Sequence, residues 1–394
     1  MTFLDSKIIP AALCGAAFLC AMPHAQAAPI EIFGDVNVAG DSIDGLNRAE
    51  ATRRLTRELQ PKLDTKISLA AGPRELQCRR RDLGIDLNLG WMLARAEANP
   101  QFVPLKLQVD ETRALGALRR IAPNFEIAKR DARPIYSGGK VQIRPEQEGI
   151  KINLGGSLVR LQVIDNGAGT RRVVLATHRD EPKVTREKLK GINAILATYT
   201  TRFDPGNVGR TTNVRLGAAA IDGTLLSPGE TFSLNDTVGE RTKKRGYQEA
   251  IIFEGGKQVP GLGGGISQVT GTLFNAALLA GLPIVTYRTH SRPVSYISIG
   301  RDATVAWGHF DIKFKNDRKT PIFISYDAGG NRATARLFGA KTNQDVSINV
   351  VSQTIGEREI KAKLYRTIRE NGKVVSKAKV GDSHYKWKVD DKEE

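Results

Sequence analysis

A short pattern occurs twice in this chain, and it limits the fold of the first half more than any other feature. Leu83-Gly84-Ile85-Asp86-Leu87-Asn88-Leu89-Gly90-Trp91-Met92-Leu93-Ala94-Arg95 aligns with Glu148-Gly149-Ile150-Lys151-Ile152-Asn153-Leu154-Gly155-Gly156-Ser157-Leu158-Val159-Arg160. In each copy an apolar-polar alternation predicts a short strand, and an asparagine turn then opens a helical pattern. Upstream of each lies an amphipathic helical stretch, 48–59 and 111–121, followed by a strand candidate, 66–70 and 140–143. The shared order is helix, strand, turn, strand, helix. Two copies predict a pair of small α+β modules, 28–103 and 104–182, rather than a solenoid, which needs more copies to bury its core. Neither copy gathers His, Cys and carboxylates, so these modules are expected to bind or space rather than to catalyse.

The first residues bear on the compartment. Lys7 precedes an apolar stretch, 8–21, too short to span a bilayer, and Ala25-Gln26-Ala27 supplies small residues for cleavage. Residues 1–27 therefore read as a secretory signal peptide, with no transmembrane segment left after cleavage and an exported, periplasmic or cell-wall associated protein as the result. Cys14 and Cys20 fall inside this segment, each preceded by leucine rather than the small residue of a lipoprotein signal. The remaining Cys78 has no internal disulfide partner and reads as a half-buried thiol in an alternating run. The formal net charge is +17, and Lys7 and Asp5 cancel within the leader. Such a surface attracts nucleic acid, anionic lipid or an acidic wall polymer. Export argues against nucleic acid, and no lysine run or basic amphipathic helix points to a membrane. An anionic cell envelope is the expected counter-charge, with a solvated basic surface lacking a specific partner as the plain alternative.

A boundary falls at Glu181-Pro182-Lys183-Val184, where proline and charge break the pattern. Beyond it, 188–200 and 211–222 are expected to be helical, and Ser227-Pro228-Gly229-Glu230 is a turn signal. Strands are expected at 284–287, 305–307, 311–314 and 322–326. The last two are joined through Lys315-Asn316-Asp317-Arg318, and Gly329-Gly330-Asn331 makes a further hairpin. These elements define a mixed α+β domain, 183–340, rich in antiparallel strands with one prominent helix. Residues 341–394 add a hairpin around Glu370-Asn371-Gly372-Lys373 and a polar tail. The prominent helix follows a glycine arm, Val259-Pro260-Gly261-Leu262-Gly263-Gly264-Gly265-Ile266-Ser267-Gln268-Val269. The arm delivers Ser267 to a helix start, where serine serves as a presented nucleophile or as a plain cap.

The block from Thr201 to about Gly339 resembles the VanW family. The resemblance runs through ordered motifs: Asn213-Val214-Arg215-Leu216, Pro228-Gly229-Glu230-Thr231-Phe232-Ser233-Leu234-Asn235, Val238-Gly239-Glu240-Arg241-Thr242, Arg245-Gly246-Tyr247, the glycine arm, His290-Ser291-Arg292-Pro293-Val294-Ser295-Tyr296, and Gly300-Arg301-Asp302-Ala303-Thr304-Val305. The repeated region is similar to the peptidoglycan-binding modules that precede this domain in the family. The resemblance implies L,D-transpeptidase-like chemistry on peptidoglycan in some members, with a cysteine nucleophile in Gly-Gly-Gly-Ile-Cys-Gln. Here that position is Ser267.

A hydroxyl is far harder to ionise than a thiol and needs a base within hydrogen-bond reach. His290 is the base candidate, or else a structural histidine bonded to nearby backbone; His309 is the reserve. Asp302 either orients the His290 imidazole or pairs with Arg301 or Arg241. Arg241, Arg292 and Arg301 can hold a substrate carboxylate through the guanidinium fork. Gly263, Gly264 and Gly265 allow close backbone approach, and the amides near Ser267 and Gln268 can form an oxyanion hole. The glycine run lacks a P-loop ending, and His178, His290, His309 and His384 are scattered without paired zinc spacing, so no cofactor and no metal are expected. The expected function is a non-catalytic peptidoglycan-binding or scaffold protein. The alternative is a serine-variant acyl-transfer enzyme using Ser267 with His290.

Overall fold

The computed structural model describes residues 33–98, 101–164, 171–254 and 257–387. The expected leader, 1–27, and the polar end of the tail lie outside the described residues. The chain is a mixed α+β protein whose contacts group into two compact units. One is drawn from Met1–Phe125 and Ile152–His178, the other from Glu126–Lys151 and Arg179–Glu394.

In the first unit the helices of both copies form as expected, whereas strand Lys140–Arg144 of the second copy falls in the other unit. Helix Arg48–Leu63 opens on a capping box, in which the Asn47 side chain accepts from the Glu50 amide and Glu50 answers the Asn47 amide. Its buried face is Ala51, Leu55, Leu59 and Leu63, one residue per turn. The repeated asparagine has one job in both copies. Asn88 accepts from the Trp91 amide at 3.0 Å before helix Leu89–Ala98, and Asn153 caps helix Leu154–Gln162 through the Gly156 amide at 2.9 Å. The copies then share a core. Strand Arg172–Val174 lies parallel to Lys66–Ala71, which pairs with Arg74–Arg79, and Leu69, Ile85, Leu118, Leu161 and Val173 pack together. Cys78 is half-buried, as expected, and burial, then the nearby Asp82 charge, push its pKa up.

The second unit is built on a four-stranded antiparallel sheet, in the order Ala194–Arg202, Arg332–Gly339, Ile322–Asp327, Thr224–Leu226. Helices Val208–Ile221 and Ile266–Leu279 pack on it. Twelve of the fourteen residues of Ile266–Leu279 are buried, which is why its sequence is apolar around the whole circumference. Full burial of side chains such as Leu273 and Phe274 stabilises the fold by about 1.5–3 kcal/mol each. Thr201 and Thr272 join the sheet to this helix through their hydroxyls at 2.7 Å. Hairpin Arg133–Ser137 with Lys140–Arg144 also belongs to this unit. Its Arg133 makes a two-pronged ion pair with Asp222, 2.6 Å on each arm, and lies over the Phe323 ring.

Several sequence expectations for this unit are corrected. Residues 194–202 are a strand rather than part of a helix, because the β-branched run Thr198, Thr200, Thr201 lies against Arg332–Gly339 and only Glu187–Leu189 makes a helical turn. The segments at 311–314 and 322–326 do not form a hairpin. Lys313–Lys315 pairs with Thr231–Ser233 and Ile284–Thr286 in one sheet, whereas Ile322–Asp327 sits in another. Residues 305–307 contribute a single bridge, Ala306 to Phe310. The hairpin around Asn371-Gly372 is present, and a third strand extends it into an antiparallel sheet: Gln344–Gly356, Glu359–Glu370 and Lys373–Lys386.

Candidate functional site

The glycine arm begins as a strand. Lys257–Leu262 pairs with Glu249–Glu254, and only Gly263, Gly264 and Gly265 turn the chain into the buried helix. Gly264 is pressed so closely against that hairpin that a Cβ would lie 2.6 Å from the Ile251 carbonyl oxygen. Gly265 is the helix N-cap with φ 107°, a conformation that L side chains resist. Ser267 is therefore not the cap; it occupies the second helical position. The Gln268 amide is already bonded to the Gly265 carbonyl at 3.0 Å, whereas the Ser267 amide meets no backbone acceptor among the described residues.

Ser267 and His290 line one cavity of about 420 Å³, together with Gly263, Gly264, Gly265, Arg241, Arg210, Tyr296, Thr304 and Trp307. The Ser267 hydroxyl is half-buried and sits 3.3 Å from the Thr304 hydroxyl. No hydrogen bond joins it to His290 among the described residues.

His290 and Asp302 are only 5% and 1% exposed, and they are held as a unit. One Asp302 oxygen accepts both the His290 backbone N–H, at 2.8 Å, and the ring Nδ1, at 2.7 Å. With Asp302 as a carboxylate, which only accepts, this contact puts a proton on Nδ1, and in the neutral imidazole Nε2 is then the acceptor nitrogen. The other Asp302 oxygen accepts the Tyr385 hydroxyl, which in turn accepts the Gly300 amide at 2.7 Å. Asp302 thus orients His290, and it pairs with neither Arg301 nor Arg241.

The arginines divide. Arg241 lines the cavity, donates to Asn235 Oδ1 at 2.8 Å and stands over Trp307; burial lowers its pKa. Arg292 lies over Phe253 and lines an adjoining cavity of about 480 Å³. Arg301 lines neither. It donates to Asn275 at 2.8 Å and packs over Tyr199, tying its loop to the buried helix and the sheet. Gln268 is buried, donating to Thr201 and to the Arg202 carbonyl and accepting from Arg210 at 2.8 Å. His309 is exposed on the turn after Trp307 and lines none of these cavities. A third cavity, about 720 Å³, lies beyond His290 and is walled partly by Gly381, Asp382 and His384 of the C-terminal sheet. The three cavities are neighbours that share walls, Arg210, Gln268 and Tyr296 bordering the first two and His290 and Thr304 the first and third, and together they are called the groove.

Four site residues carried no assignment from sequence. Thr304 and Tyr296 lie within quoted motifs, and burial pushes the Tyr296 phenol up against the opposing influence of Arg210. Arg210, stacked over Tyr296, is three residues before the first motif. Tyr385 is in the C-terminal extension, where the sequence offered no signal at all.

The segment that carries most of these residues is similar in sequence to a known family. Residues 209–338 match the family described as VanW like protein, and residues 88–162 match the one described as Putative peptidoglycan binding domain. The VanW-like segment thus follows a segment similar to the second family, in the order that the sequence motifs indicate. It is 38% identical over 199 residues to Uncharacterized protein YoaR of Bacillus subtilis, across 50% of this chain and 66% of that protein. It is 30% identical over 137 residues to the Vancomycin B-type resistance protein VanW of Enterococcus faecalis, across 34% of this chain and 50% of that protein. The chain thus spans between half and two thirds of the length of these relatives. No solved structure matches. Among the described residues no helix is long and apolar enough to cross a membrane.

Proposed function

We infer that this protein is exported to the cell envelope and binds peptidoglycan, with the modules at 28–103 and 104–182 gripping the polymer and the groove of the VanW-like domain holding a stem peptide. The observation that carries this reading is the position of Ser267. Its hydroxyl meets Thr304, and no hydrogen bond joins it to His290 among the described residues, so the serine is not paired with the oriented base. The groove suits an extended, carboxylate-bearing peptide: Arg210, Arg241 and Arg292 each stand over an aromatic ring along it. The net charge of +17 favours association with an anionic wall.

The oriented His290 favours a second reading, a serine acyl-transfer enzyme. Ser267 would exchange its Thr304 hydrogen bond for His290 Nε2 and lose its proton to that nitrogen as Oγ attacks a stem-peptide carbonyl. The leaving amine then takes the proton from His290, and a second amine or water releases the acyl group from the serine ester.

Incubating the protein, Ser267→Ala and Ser267→Cys with disaccharide-peptide fragments, and reading products by mass spectrometry, separates the two. The binding reading expects fragments retained but unchanged by wild type and Ser267→Ala, with turnover appearing in Ser267→Cys. Exchanged or cross-linked product from wild type, abolished in Ser267→Ala, overturns it in favour of the enzyme. Failure of intact sacculi to pull the protein down at moderate salt removes both.

A further inference from the structure

We propose that Tyr385, supplied by the C-terminal sheet from beyond the VanW-like segment, is a positioning residue that acts through Asp302 to fix which nitrogen of His290 faces the cavity. The inference rests on His290 being a working group of the groove, but its test reads the imidazole itself and needs no substrate.

The C-terminal sheet grips both segments that carry the dyad. The Lys386 amide donates to the Ser291 carbonyl at 2.7 Å, next to His290. On the other side, Gly300 lies so close to the sheet that a Cβ there would come within 2.8 Å of Val350 and 3.2 Å of Ala362. Along strand Lys373–Lys386, Ser383 and Tyr385 point inward while Asp382 and His384 point out to the groove, as the two-residue period of a strand requires. Tyr385 is fully buried, and its hydroxyl is fixed at both ends. The Gly300 amide fills its acceptor side, so its proton is directed at Asp302. Burial first, and the adjacent Asp302 charge next, raise the phenol pKa, which keeps that proton in place.

The consequence concerns the tautomer as well as the geometry. Three donors meet Asp302 in a dry site: the His290 amide, His290 Nδ1 and the Tyr385 hydroxyl. Loss of the phenol leaves one Asp302 oxygen buried without a partner, so the carboxyl group is free to turn away from Nδ1. Released from that acceptor, the neutral imidazole shifts its one proton from Nδ1 to Nε2, and the nitrogen facing the cavity changes from an acceptor to a donor.

The test is ¹⁵N NMR of the histidine rings in the full chain, at a pH where the imidazole is neutral, with His290→Gln to assign the signals. Wild type is expected to show Nδ1–H and a lone pair on Nε2. Tyr385→Phe, which keeps the ring and its packing, is expected to move the Nε2 signal toward the N–H position. Should Tyr385→Phe fail to fold, 3-fluorotyrosine at position 385 replaces it; this stronger donor is expected to hold Nε2 at least as fully in the lone-pair form. A folded Tyr385→Phe protein with the wild-type tautomer, an Nε2–H tautomer in wild type, or a move to Nε2–H in the fluorotyrosine protein overturns the proposal. None of these outcomes bears on whether peptidoglycan is bound, which the fragment assay reads separately.

Discussion

In the first unit charged side chains meet at the surface: Arg81 with Asp64 at 2.5 Å, Arg79 with Asp82 at 3.0 Å, and Arg48 with Glu97, all substantially exposed. In the second unit polar groups go inside. Asn213, Gln268, Thr272, Asn275, His290 and Asp302 are each buried and each hydrogen-bonded. The first pattern is that of modules held by apolar stripes and helix caps, which leave the surface open to interaction. The second pairs these buried groups with one another and with backbone, because an unpaired one in a dry interior is destabilising. A protein retains such a network where it needs a fixed constellation.

The contrast can be broken at graded strengths. The largest effect is expected from Asp302→Ala, which strips an acceptor from three buried donors and should destabilise the second unit by about 3–5 kcal/mol, measured by denaturant unfolding. A loss below about 1 kcal/mol would mean the network is not structurally demanding. Next come Leu273→Ala in the second unit and Leu55→Ala in the first, each about 2–5 kcal/mol through cavity formation. Similar losses in both would show that the apolar cores are equivalent and that only the polar interiors differ. Asn153→Ala removes the cap of the second repeat and should lower stability by about 1 kcal/mol, with Asn153→Asp retaining most of it. The smallest effect belongs to Arg81→Ala, within about 1 kcal/mol and fading as salt is raised.

Legibility followed the same division. The repeated asparagines were readable because capping is a local bond, made to an amide three residues along the same chain. The buried helix was readable from its apolar circumference, and the sheet strand Ile322–Asp327 from its β-branched and aromatic run. Strand Ala194–Arg202 was misread as helical because its pairing partner lies far along the chain, at Arg332–Gly339. At the site, Ser267, His290, Asp302 and Arg241 could be named beforehand, since each lies in a compact motif. Nothing in sequence indicated that Arg301 faces Tyr199 and Asn275 instead of the groove.

The sequence by itself determined the repeated asparagine caps, the buried helix, the glycine turn into it, and the pairing of His290 with Asp302 as one of two readings. Each depends on periodicity or on contacts between residues near in the chain. Only the tertiary structure decided that Ser267 faces Thr304, that Gly265 rather than Ser267 caps the helix, and that Tyr385 closes the Asp302 network. Those are questions of direction and of long-range contact, settled by how a dry interior satisfies its polar groups, and a linear pattern carries neither.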